Sequence, residues 1–408
     1  MKLVLGVLLL FITSFCFSQS GQGIKLKKGS WVSELTLSET DVLPFTMRIK
    51  KGNVIIIENA EEEITLLEPT LINDSLHVRF PYFNSELVFK VVNKKKLEGY
   101  WINYTKGPNY RIPFSSERVR SNRFTFVTKK TDGANVDGQW QVDFEPNTNS
   151  TYPAVGIFKQ KEGSNSISGT FLTETGDYRF LEGNSTEDSL FLSCFDGSHA
   201  FLFKAALKND SLYGAFFSGN HWQSEWQAGR NENYQITSPD DLTYIVDDNA
   251  VTFDLKTLSG SDYSFPNDET KGKVVIIQIM GTWCPNCLDE THYYKELYNQ
   301  YHDQGLEIIS IGYEAGNTFE DYAENIERLK TKIGLDFTFL VGGNASKGLA
   351  SEHFNMLNEV ISFPTSIFIG RDGKVKRVHT GFNGPGTGSY YREYVEKTNA
   401  LVESLLNQ

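Results

Sequence analysis

The spacing of apolar residues changes character near residue 240, and that change restricts the chain to a composite of two fold classes. From Gly29 to about Glu232 the apolar residues fall in short, often alternating runs, among them Asn53 to Ile57, Glu86 to Val92, Gly169 to Leu172, Ala200 to Ala205 and Ser211 to Phe217. Turn residues or a break in pattern follow each run, and no stretch of helical length carries a 3.6-residue period, so this region is expected to be all-β. A segment rich in Asp, with Ser238-Pro239, reads as a linker at 236–249. Beyond it, runs suited to buried strands (Val274 to Ile279, Leu306 to Ile311, Phe337 to Val341, Thr365 to Ile369) alternate with helix-like stretches (Cys287 to His302, Glu320 to Ile333, Tyr391 to Leu406). That order implies an α/β sheet with helical crossovers. The expected fold class is α+β multidomain, with an all-β N-terminal region followed by an α/β domain at 250–408.

The β half repeats itself. Gly29-Ser30-Trp31 is echoed by Gly138-Gln139-Trp140, and Asp74-Ser75-Leu76 by Asp188-Ser189-Leu190, each pair about 110 residues apart. Behind each Asp-Ser-Leu comes a Ser-to-Lys stretch ending in Phe-Lys (Ser85 to Lys90 and, with a slip, Ser198 to Lys204), then Leu-x-Gly at Leu97 and Leu212. Two related meander units are expected, at 20–120 and 121–235, each large enough for a small barrel or sandwich. A third Asp-Ser-Leu at Asp210 belongs to the competing view that strand and turn grammar imitates itself. An aromatic content of 13% with only 4 Met supports strands over helical bundles. The second unit carries a dense cluster of Tyr178, Arg179, Phe180, Cys194, Phe195, Asp196, His199, His221, Trp222, Glu225 and Trp226. A packed barrel interior is the preferred reading and a binding surface the alternative. Cys194 reads as a small buried hydrophobe, and with His199 and His221 it lacks the short spacing of a metal site.

With 39 Lys and Arg against 51 Asp and Glu, the net charge of −12 argues against a nucleic-acid partner. The first residues place Lys2 before an apolar run from Leu3 to Ile12, too short to span a bilayer, which reads as a signal peptide at 1–19. A lipid anchor at Cys16 is the weaker reading, because Phe15 stands where a small residue is needed. No later stretch reaches membrane-spanning length, so after signal removal no transmembrane segment is expected and the location is the periplasm or cell envelope.

The chemistry is expected in the second half. Four cysteines are too few to staple a chain this long. Trp283-Cys284-Pro285-Asn286-Cys287 follows a buried strand and opens a helix. Unpaired N–H groups and partial positive charge at a helix N-terminus favour a thiolate, so Cys284 is the candidate nucleophile. Cys287 lies one turn along, placed to close a disulfide and release a bound partner. A zinc site would need two more ligands, and none appears nearby. No metal and no organic cofactor are expected.

Residues from about Ala250 to Leu406 resemble the thioredoxin fold and, within it, the TlpA/ResA-like thiol–disulfide oxidoreductases of the bacterial envelope. The resemblance rests on Lys271-Gly272-Lys273-Val274-Val275, on Gly281-Thr282-Trp283-Cys284-x-x-Cys287, and on Ile361-Ser362-Phe363-Pro364-Thr365-Ser366 followed by Phe368 to Val375. It implies a cis peptide before Pro364, with backbone groups of Phe363 facing the cysteines and able to pair with an extended peptide. Trp283, Phe363 and Thr365 are then candidate substrate-binding residues. It also implies that Glu290, three residues after Cys287, moves protons to or from the pair, against the simpler view of an early-helix Glu favoured by the dipole. Where thioredoxin has a buried Asp this chain has Gln278, which cannot accept a proton, and Met280 replaces a common aromatic residue. The expected partners are proteins with disulfides and an upstream thiol reductant, and the expected activity is protein-disulfide reduction. Two rivals remain: a thiol peroxidase of the peroxiredoxin type, for which the segment before Cys284 lacks the required Pro and Thr, and a β-rich binding module with an accessory redox domain.

Overall fold

The computed structural model describes residues 24–119, 121–127, 133–246 and 250–408. The expected signal peptide, Cys16 included, lies outside the described residues. Among those described, the N-terminal half forms two nine-stranded antiparallel sheets. In the first, the opening strand Gly29–Thr36 lies beside the closing strand Arg111–Glu117. The second repeats the arrangement, with Gly138–Phe144 beside Trp222–Arg230. There Ser166–Thr173 pairs with both Tyr152–Gln160 and Leu181–Ser185, so the sheet closes into a barrel whose backbone groups are paired around the ring.

The repeated tryptophans occupy matching places. Trp31 and Trp140 are both buried, and each donates its indole N–H to the carbonyl four residues back, on Lys27 and Val136, at 3.0 Å. All three Asp-Ser-Leu segments instead lie at turns entering strands Ser75–Arg79, Ser189–Phe195 and Ser211–Ser218. That likeness is turn grammar. The tryptophan bonds and the first-beside-last topology are what the two sheets share.

The aromatic cluster of the second unit divides by depth. Cys194 and Trp226 are interior, and partly buried Tyr178 packs against the same core, its ring 5.1–6.1 Å from Phe144, Phe171, Phe201, Phe203 and Phe216. Burial pushes the Cys194 thiol well above its usual range. Arg179 and Asp196 face the C-terminal domain, while Trp222 is 51% exposed. His199 pairs with Asp196 and His221 lies against Tyr110, so the structure does not gather Cys194, His199 and His221 into one site.

The C-terminal domain is built on a seven-stranded mixed sheet. Its interior strand Val274–Met280 is buried throughout, which is why it reads as a continuous apolar run rather than an alternating one. It pairs in parallel with Leu306–Glu314 and antiparallel with Thr365–Ile369, and Leu306–Glu314 pairs in parallel with Thr338–Asn344. Helices Pro285–Tyr301, Phe319–Ile333 and Ser389–Leu406 accompany the sheet. The segment read as a linker is tied down where described. Its short helix Pro239–Leu242 sets Asp240 against Arg377 and His379 at 2.7 and 2.6 Å, and Ile245 bridges to Leu357. Among the described residues, no helix is long and apolar enough to cross a membrane.

Candidate active site

Strand Val274–Met280 ends at Met280, and a short loop carries the chain into helix Pro285–Tyr301. Cys284 caps this helix, its sulfur accepting the Cys287 backbone N–H at 3.4 Å, with Pro285 in the first turn where no N–H is needed. Cys284 is partly exposed and Cys287 is fully buried. The Cys284 thiol also points to the Phe363 carbonyl at 3.6 Å, so Phe363 is brought to the dithiol from 79 residues away. The Phe363–Pro364 peptide is cis, as the resemblance implied.

Trp283 donates its indole N–H to the Tyr313 carbonyl at 2.9 Å and meets the Phe363 ring edge-on at 6.0 Å, with Tyr313 stacked behind Phe363. Thr365 takes no part in this opening. It is fully buried and its hydroxyl bonds the Ser362 carbonyl at 2.8 Å, so it shapes the backbone behind Phe363 instead of facing a substrate.

Glu290 is completely buried beneath the dithiol. Its carboxylate accepts hydrogen bonds from Gln278 at 2.9 Å, Tyr394 at 3.0 Å, and Tyr294 and Ser366 at 3.2 Å. Every one of these donors is neutral. Burial therefore dominates and pushes the Glu290 carboxyl up to about 7, the hydrogen bonds restraining the rise. Burial likewise drives the Cys287 thiol well above its ordinary value, with Cys284 and the Glu290 charge adding to the effect. Gln278 holds this arrangement together: its carbonyl accepts from Ser310 at 2.7 Å and Thr291 at 3.2 Å while its amide faces Glu290.

Sequence reasoning missed several neighbours. Tyr294 sits four residues after Glu290, a helical spacing that signals contact, but Ser366 and Tyr394 come from distant elements with no local sign. Glu314, at the end of its strand, accepts from the Thr282 N–H at 2.8 Å and hydroxyl at 2.6 Å, and burial pushes it too up to about 7. The β half also reaches the site. Ser198 donates to the Trp283 carbonyl at 2.7 Å, Ser362 to the Thr175 carbonyl at 3.0 Å, and Asn286, between the cysteines, to the Asp177 carbonyl at 3.3 Å.

Beside this contact lies a buried charge cluster. Arg179, 3% exposed, pairs with Asp289 of the active-site helix, with Glu62 of the first sheet at 2.8 Å and with Asp196 at 3.5 Å. Its guanidinium is held well above the usual range, since four surrounding carboxylates outweigh the cost of burial. Burial raises Glu62 and Asp177, whereas in Asp196 the same effect is overcome by His199 and Arg179.

Comparison with known proteins gives the family of this C-terminal region. Residues 246–378 match the model of the AhpC/TSA family. The thiol–disulfide oxidoreductase ResA of Halalkalibacterium halodurans is 33% identical over 134 residues, covering 32% of this chain and 66% of that protein. ResA of Geobacillus thermodenitrificans is 31% identical over 138 residues, covering 33% of this chain and 70% of that protein. The chain belongs to the ResA-like thiol–disulfide oxidoreductase family. The thioredoxin-like protein YneN of Bacillus subtilis is a further relative, 26% identical over 148 residues and covering 36% of this chain and 79% of its own. This chain thus spans about two thirds of the length of the ResA proteins, and the ResA-like part is its C-terminal third. The β half is an addition to it.

Proposed function

We propose that this ResA-like protein reduces disulfides of proteins in the periplasm or cell envelope through Cys284 and Cys287. The observation that carries the reading is the pairing of a partly exposed, helix-capping Cys284 with a buried Cys287 one turn on, above a carboxyl poised near neutrality. Cys284, as thiolate, attacks a substrate sulfur and forms a mixed disulfide while the other substrate sulfur leaves. Cys287 then attacks Cys284, freeing the second substrate sulfur as a thiol and leaving Cys284–Cys287 oxidised. Because burial keeps Cys287 protonated, its attack needs a base. Glu290, three residues on in the same helix, takes that proton. Phe363, preceding cis-Pro364, and Trp283 form the wall against which the substrate lies. An upstream thiol reductant restores the dithiol, and the cycle calls for no metal or organic cofactor.

The test is a Cys287→Ala variant of the full chain in envelope extracts. A mixed disulfide between Cys284 and envelope proteins should accumulate and dissolve with reductant. If nothing is trapped, and the wild-type sulfurs do not bridge under mild oxidant, the reading fails. The AhpC/TSA description of the matched model favours a second reading, thiol peroxidase. Consumption of a hydroperoxide by the wild type, dependent on Cys284, would favour it. Against it, Trp283 directly precedes Cys284 and the Thr282 hydroxyl is committed to Glu314.

A further inference from the structure

We infer that the hairpin turn at Glu174–Thr175 of the barrel lies where a protein substrate's strand would lie, so that the enzyme as folded accepts small disulfides and admits protein disulfides only when this hairpin lifts. The inference rests on the redox reading above and names its substrate class. The hairpin joins strands Ser166–Thr173 and Gly176–Asp177 and spans both banks of the dithiol. On one bank the Thr175 carbonyl accepts from Ser362, the residue before Phe363, at 3.0 Å. On the other, the Asp177 carbonyl accepts from Asn286, between the two cysteines, at 3.3 Å. An extended peptide reaching Cys284 along Phe363 has to pass between Ser362 and Asn286, and that space is taken.

The fit is built for close approach. A Cβ on Gly381 would stand 2.8 Å from the Thr175 carbonyl carbon, and one on Gly176 would stand 2.5 Å from the Asn286 amide nitrogen. Both glycines have positive φ, +76° and +139°; Gly381 lets backbone pass against the Thr175 backbone, and Gly176 leaves room for the Asn286 side-chain amide. Gly384 N–H bonds the Asp177 carboxylate at 2.6 Å and fastens the hairpin to the loop after strand Val375–Thr380. Arg179, two residues beyond Asp177, anchors the same segment to Asp289 of the active-site helix. Asp177 and Gly381 are thus positioning residues for the hairpin. Cys284 keeps partial exposure, which is room for a small disulfide but not for a folded surface. With a small disulfide R–S–S–R, Cys284 takes one R–S group and expels R–S⁻, and Cys287 expels the second. Two electrons pass from the dithiol to R–S–S–R, its two protons end on the released thiols, and an added dithiol such as dithiothreitol returns the enzyme to its reduced form.

The experiment compares full-length wild type with Asp177→Ala and Gly381→Ala. Reduced protein is alkylated with iodoacetamide and with a polyethylene-glycol maleimide, and turnover is measured on oxidised glutathione and on insulin with dithiothreitol as reductant. In wild type the bulky reagent and insulin should react slowly relative to the small ones. Each variant should raise the bulky-to-small ratio about tenfold, the effect of losing a hydrogen bond to a charged group or an equivalent packing contact, with glutathione turnover changed less than about twofold. Unchanged glutathione turnover also shows that the variant is folded. The inference is overturned if wild type takes bulky and small reagents at equal rates, or if both folded variants leave the ratio unmoved. Failure of the redox reading looks different: no Cys284–Cys287 disulfide forms in any protein, whatever the alkylation ratios.

Discussion

The Glu290 pocket and the Arg179 cluster are both buried, polar and adjacent to the active-site helix, yet they are built on opposite principles. Glu290 is surrounded by an amide and three hydroxyls, so its charge is solvated by dipoles alone and its proton is held until about pH 7. Arg179 brings a full countercharge to Glu62, Asp196 and Asp289, drawn from both sheets and the C-terminal domain. A buried carboxyl with neutral partners can exchange a proton at working pH, whereas carboxyls gathered around a guanidinium have a countercharge that ties their elements together. The first arrangement suits chemistry and the second suits assembly.

The sharpest way to break this contrast is Arg179→Met. Removing the cation strands carboxylates in a dry interface, and denaturant unfolding of the full chain should show a loss of about 3–5 kcal/mol. If the loss is below about 1 kcal/mol, the cluster does not join the domains.

Glu290→Gln should act in the opposite sense on stability. The folded carboxyl titrates near 7 and the unfolded one near 4.5, so the folded state binds the extra proton between those values. Stability is therefore lost as pH rises from about 4.5 to 7, and the loss persists above 7. The variant should be more stable than wild type by about 3 kcal/mol at pH 8 and indistinguishable at pH 4, measured by unfolding midpoints across pH. Its single-turnover release of the mixed disulfide should slow about 100-fold near neutral pH. Glu314→Gln should remove a second part of the same pH slope, since its carboxyl is raised to the same range by the same cause. As a surface reference, Arg48→Met breaks pairs with Glu58 and Glu63 on the first sheet, where the Arg48 side chain is 31% exposed, and should cost less than about 1 kcal/mol.

Much of this was legible beforehand because it is local. The strand before Cys284, the helix after it and the one-turn spacing to Cys287 are set by neighbours in the chain. Glu290 was visible by its helical offset, though its depth was not, because burial depends on Tyr394 and Ser366 arriving from 104 and 76 residues away. Thr365 shows the converse: a place in the right segment did not give its hydroxyl the right direction. Trp31 and Trp140 take matching places in the two sheets, but the contacts of the second sheet around the dithiol depend on glycines and backbone carbonyls that carry no pattern of their own.

Apolar periodicity and the Trp-Cys-x-x-Cys spacing by themselves determined the division into β and α/β halves and the placing of two cysteines one turn apart at the start of a helix, since both follow from forces acting within a few residues. Only the tertiary structure decided which carboxyl holds a proton at neutral pH, which cation joins the two halves, and what stands in front of Cys284. Those outcomes depend on dehydration and on distances between residues far apart in the chain, and neither is set until the sheets have packed.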